Sequence, residues 1–71
     1  MKKKSNIIEV IEHIALFPQA RFNREGDKNF MIKKGNEGDL CVYIKGENKG
    51  ALKIFNYMYD IWILEDKEEK A

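Results

Sequence analysis

The chain has few of the residues that usually carry chemistry: one cysteine and one histidine among 71 residues. Cys41 alone cannot close a disulfide within the chain, and without a ligand neighbour it makes no zinc pattern. It lies between Leu40 and Val42, the setting of a small structural strand residue, and a reduced intracellular environment is expected. His13 has Glu9 four positions before it, so a surface histidine in a local ion pair is its expected role. No Ser–His–Asp or Cys–His set can be assembled: Ser5 is near the chain's start and Cys41 is structural. Neither GxxxxGK[ST] nor GxGxxG occurs. The expectation is a non-enzyme, with no catalytic residue, no metal and no cofactor.

An excess of charge of one sign is also missing. Thirteen basic and twelve acidic side chains leave a net charge of +1, too little for a field that grips nucleic acid by its phosphates. No nucleic-acid partner is expected. Long apolar runs are absent as well. Met1-Lys2-Lys3-Lys4 has the charge of a signal-peptide start, but Glu9, Glu12 and His13 break up the apolar residues after it. The expected location is the cytoplasm, with no membrane association.

What is present reads as a small folded protein. The hydrophobic share of 44% argues against disorder, and 35% charged residues of both signs suit a solvated surface. A single domain over residues 1–71 is expected, with frayed tails at 1–5 and 66–71. A chain of this size buries only about 60% of its unfolded surface. A thin core favours self-association, and a homo-oligomer of at least two copies is expected.

Periodicity places the elements. Asn6 with Glu9 makes a capping box, and Ile7, Val10, Ile11 and Ile14 recur at helical spacing until Pro18 ends the run. This predicts a helix from Asn6 to Leu16. Ala20–Asn23 and Asn29–Lys34 read as short strands around a turn in which Gly26 supplies positive φ. Leu40, Val42 and Ile44 alternate with Cys41, Tyr43 and Lys45 as a half-buried strand. Gly35–Asp39 and Gly46–Gly50 read as further turns, and Ile61–Leu64 as a last strand. The segment from Ala51 to Tyr59 fits either a helical face or a strand. The fold class is α+β: one N-terminal helix packed on a small antiparallel sheet of about four strands.

Near the carboxyl end, Phe55, Asn56, Tyr57, Met58, Tyr59, Asp60 and Trp62 concentrate aromatic and polar groups. Phe55, Met58 and Trp62 are expected to serve the core in part. The remainder suits a small nucleotide, since aromatic faces stack on bases and amide or carboxylate groups bond base edges and ribose hydroxyls. Arg21, Arg24 and Lys28 are cations able to take phosphates. The candidate ligand site is therefore Arg21, Arg24, Lys28, Asn56, Tyr57, Asp60 and Trp62. A second role for Arg21 is an ion pair with an acid such as Asp60.

The run Ala20-Arg21-x-x-x-x-Gly26-x-x-x-Phe30, after a helix bearing Val10, Ile11 and Ile14, resembles the opening of the second Thoeris anti-defence family. Asn56-x-Met58-x-Asp60-Ile61-Trp62-Ile63-Leu64 resembles that family's close, and Leu40-Cys41 its central strand. Arg24 stands where the family has a tryptophan, the acid of the closing motif is displaced by one, and the excursion before the central strand shrinks to Gly35–Asp39. The resemblance implies a short helical turn before the last strand. It also implies a phage sponge protein, oligomeric, that sequesters a cyclic nucleotide immune signal in a bacterial host without chemistry. The group includes an anti-CRISPR member, so the alternative function is a small inhibitor binding a host defence protein such as a CRISPR effector.

Overall fold

A computed structural model gives the fold and describes residues 4–65. Helix α1 spans Ile7–Leu16 and begins as its capping box requires. The Asn6 side chain accepts from the Glu9 N–H at 2.9 Å, and the Glu9 carboxylate accepts from the Asn6 N–H at 2.9 Å. The expected ion pair of His13 with Glu9 does not form, because Glu9 is committed to the cap. Instead the His13 ring is half-buried, 4.9 Å from the Phe17 ring and 5.3 Å from Phe22.

Among the described residues six strands form one antiparallel sheet: β1 (Lys4–Ser5), β2 (Phe22–Arg24), β3 (Asp27–Lys34), β4 (Leu40–Ile44), β5 (Glu47–Ala51) and β6 (Trp62–Leu64), ordered β1-β6-β2-β3-β4-β5. The class is α+β with one helix, as expected, but the sheet has two strands more than the sequence suggests. One is β1, expected to be part of a frayed tail: Lys4 and Ser5 pair with Ile63 and Trp62, and Ser5 is buried. The other is β5, expected to be a turn. Lys45 at φ 54° and Gly46 at φ 85° make the whole connection, and Ile44 already pairs with Glu47. Positive φ at both central residues is the two-residue hairpin turn whose twist matches its strands. Five exposed residues, Glu47–Ala51, then run as an edge strand, with charged Glu47 and Lys49 discouraging further pairing. A 3-10 helix over Ile54–Tyr57 resolves the ambiguous stretch and precedes β6. The expected tail at 66–71 lies outside the described residues.

The core lies between α1 and one face of the sheet. Ile7, Val10 and Ile14 meet Phe22, Ile32 and Trp62, all at most 2% exposed. Ile11, the fourth member of the helical stripe, packs against this cluster half-buried. Each such burial contributes about 1.5–3 kcal/mol relative to exposure. Phe55 and Met58, expected to serve the core in part, are instead 89% and 43% exposed. A single helical turn points few of its side chains inward, and Tyr57 takes the inward place. Among the described residues no helix is long and apolar enough to cross a membrane.

Candidate ligand-binding groove

Strand alternation gives the sheet two unlike faces. Phe22, Ile32 and Val42 are cross-strand partners on the helix side, and all three are buried. One residue along, Ile63, Asn23, Met31, Tyr43 and Asn48 form a row of partners across β6, β2, β3, β4 and β5 on the opposite face. No described helix covers that face. Two rows of cations flank Met31 and Tyr43. Arg21 and Lys33 adjoin the Phe22–Ile32 pair at one end. At the other end, the Lys45 N–H donates to the Asn29 carbonyl at 2.9 Å, and Lys28 is the next residue.

An open groove of about 400 Å3 is lined by Arg21, Lys28, Asn29, Met31, Lys33, Tyr43, Lys45 and Gly46. The volume lies in the range of small-ligand sites. Among the described residues four cations line it and no acid does. Lys33 Nζ sits 4.6 Å from the Tyr43 ring centroid, so this half-buried lysine lays its cation against the ring's face. Asn48 Nδ2 donates to Tyr43 Oη at 3.3 Å, which positions the phenol. Arg21 Nε stands 3.2 Å from Glu65 Oε1, beyond the end of β6. Arg21 therefore pairs with Glu65 and not with Asp60.

Six of the seven residues singled out by sequence divide between two places. Arg21 and Lys28 reach the groove. Arg24, Tyr57, Asp60 and Trp62 gather around Phe30, away from it. Arg24 Nη2 bonds Asp60 Oδ1 at 3.2 Å, and its guanidinium lies 5.1 Å from the Phe30 ring centroid. The rings of Phe30, Tyr57 and Trp62 lie 5.7–5.8 Å apart in tilted and edge-on pairs. Trp62 is 0% exposed and offers no face to a ligand, and its Nε1 has no hydrogen-bond partner among the described residues. This cluster ties β2, β3 and the 3-10 helix together. Asn56 is exposed on the 3-10 helix.

Sequence reasoning missed Asn29, Met31, Lys33, Tyr43 and Lys45. Their signal was the alternation itself: Met31 and Lys33 oppose Phe30 and Ile32, while Tyr43 and Lys45 oppose Val42 and Ile44. Only the pairing of β3 with β4 shows that the two polar faces merge. Among the described residues no three His, Cys, Asp or Glu side chains cluster as a metal site, and Cys41 is a buried free thiol. Comparison with protein-family models, curated proteins and solved structures finds no match to this chain.

Proposed function

We propose that this protein binds and sequesters a small cyclic nucleotide immune signal without chemistry, a phage-type anti-defence role in the cytoplasm of a bacterial host. The groove carries the reading. Its four cations suit phosphates, and the Tyr43 ring with Met31 suits a base. Arg21 supplies a planar fork able to hold two phosphate oxygens, and the lysines act as point charges. No acid is among the described lining residues, and the nearby Glu65 carboxylate, 3.2 Å from Arg21 Nε, is the group with which an incoming phosphate competes for that guanidinium.

The test is a thermal-shift screen against cyclic dinucleotides, cyclic trinucleotides and cyclic ADP-ribose isomers, with calorimetry on any hit. A ligand at a hundred times its Kd stabilises the native state by about 2.7 kcal/mol, a readily measured shift. A screen in which no cyclic nucleotide binds sinks the reading.

A second reading rests on a different observation. Phe55 and Tyr59, either side of the 3-10 helix's end, are 89% and 98% exposed, with Met58 and Ile61 also exposed beside them. Large apolar patches mark protein-binding surfaces, which favours a small inhibitor docking on a host defence protein such as a CRISPR effector. Co-purification of such an effector with the wild type, lost on Phe55→Ser with Tyr59→Ser, supports that reading.

A further inference from the structure

We infer that the groove takes its ligand lengthwise, as a nucleoside whose two phosphates sit apart at opposite ends of the Tyr43–Met31 floor. The inference rests on the reading of the groove as a nucleotide site and deepens it. Its basis is the placement of the charges, which do not form one cluster. Arg21 and Lys33 stand at one end, and Lys28 and Lys45 at the other. Asn29, which pairs with Lys45, lies four residues from Lys33 along β3, roughly 13 Å in an extended strand. Flexible lysine stems shorten that span from both ends. Between them, among the described lining residues, lie Met31 and Tyr43, one apolar and one aromatic, directly paired across β3 and β4.

The two ends are built differently. At the first, Arg21 is already held by Glu65, while Lys33 rests on the Tyr43 ring at 4.6 Å. A base that stacks on Tyr43 displaces Lys33 and leaves its ammonium beside the incoming phosphate. At the second, Lys45 occupies the left-handed region at φ 54°, where a glycine or asparagine meets less strain. The two-residue hairpin turn between β4 and β5 requires this backbone. Here it aims a cation at the groove's far end, beside Lys28 and Asn29. A ligand whose two phosphates are joined to each other through a bridging oxygen, such as a nucleoside diphosphate, fills one end and leaves the other charge unmatched.

Calorimetry on the full chain compares adenosine 3′,5′-bisphosphate, adenosine diphosphate, adenosine monophosphate and a cyclic dinucleotide. Separated phosphates should bind about tenfold or more tightly than the adjacent pair, as expected for one additional charge-assisted contact. Lys33→Gln and Lys45→Gln should each bring the bisphosphate down to the affinity of the monophosphate. Tyr43→Phe should retain binding and Tyr43→Leu should lose it by about tenfold, since the ring is the platform. Circular dichroism confirms that each variant is folded. Equal affinity for the bisphosphate and the diphosphate, with the cyclic dinucleotide still bound, overturns the lengthwise site and leaves the sequestration reading standing. If none of the four binds, both fall. If a single-stranded oligonucleotide binds and the small nucleotides do not, the groove is a strand-binding face and the inference is wrong.

Discussion

Lys45 and Trp62 show how single side chains are placed against local preference. Lys45 holds φ 54°, a conformation that costs a non-glycine residue about 1–2 kcal/mol and that asparagine tolerates. Lys45→Asn should therefore raise stability by about 1 kcal/mol, read from the urea midpoint, while weakening any anion in the groove. Lower stability in the asparagine variant would show that the turn is not strained. Trp62 is the sole tryptophan and is wholly buried, so its fluorescence reports unfolding directly. Trp62→Ala should cost about 3–5 kcal/mol as a large buried ring is lost. Trp62→Phe should cost distinctly less, because it keeps a ring and removes the unpaired Nε1–H. Equal losses in circular-dichroism melts of both variants would contradict this account.

At the scale of elements, stability resides in caps and hairpins as well as in the thin core. Removing the side-chain cap of α1 by Asn6→Ala should cost about 1 kcal/mol, visible as a lower urea midpoint with unchanged slope. The β3–β4 hairpin depends on close contact behind Gly35. A Cβ there would lie 2.9 Å from Cys41 Sγ and 3.4 Å from Asp39 Oδ1. Gly35→Ala should destabilise by about 1–3 kcal/mol through overpacking. In a double-mutant cycle with Cys41→Ala, the second change should relieve part of that loss, a coupling of about 1 kcal/mol. Strict additivity would place the strain elsewhere. The β2–β3 hairpin turns at Glu25-Gly26, where Gly26 holds φ 86°. Arg21 and Lys28, on either side of that turn, both line the groove.

For the whole molecule, the exposed patch of Phe55, Met58, Tyr59 and Ile61 decides between two assemblies. In the sequestering reading it pairs copies of this chain, so light scattering at high micromolar concentration should give at least a dimer. Phe55→Ser with Tyr59→Ser should return the protein to its monomer mass of 8.4 kDa. A wild-type monomer under those conditions removes self-association and favours the inhibitor reading, in which the patch meets another protein. Binding in the groove should also weaken with salt. Raising ionic strength from about 0.01 M to 0.15 M shortens the screening length from about 30 Å to about 8 Å, so exposed lysines lose reach. Affinity independent of salt would argue against phosphate recognition by these cations.

Elements with local signals were legible in the chain before folding. Asn6 with Glu9 gives the cap, Ile7, Val10 and Ile14 give the buried stripe, and Gly26 gives a positive-φ turn. The alternation of Leu40 to Lys45 gives a half-buried strand, because these depend on neighbours a few residues apart. Edge strands have no such signal. Lys4–Ser5 and Glu47–Ala51 are short, polar or glycine-bearing, and they become strands only because β6 and β4 offer them free hydrogen-bonding edges. The groove shows the same division. Arg21 and Lys28 were legible as cations, but Lys33, Tyr43 and Lys45 join them only through the register of β3 with β4. Trp62 was legible as an aromatic of the closing strand. Its withdrawal into the core under Arg24, Phe30 and Tyr57 was settled by strand order, since β6 inserts between β1 and β2. Long-range pairing brings together residues far apart in sequence, and a one-residue change of register would have turned each of those side chains to the other face.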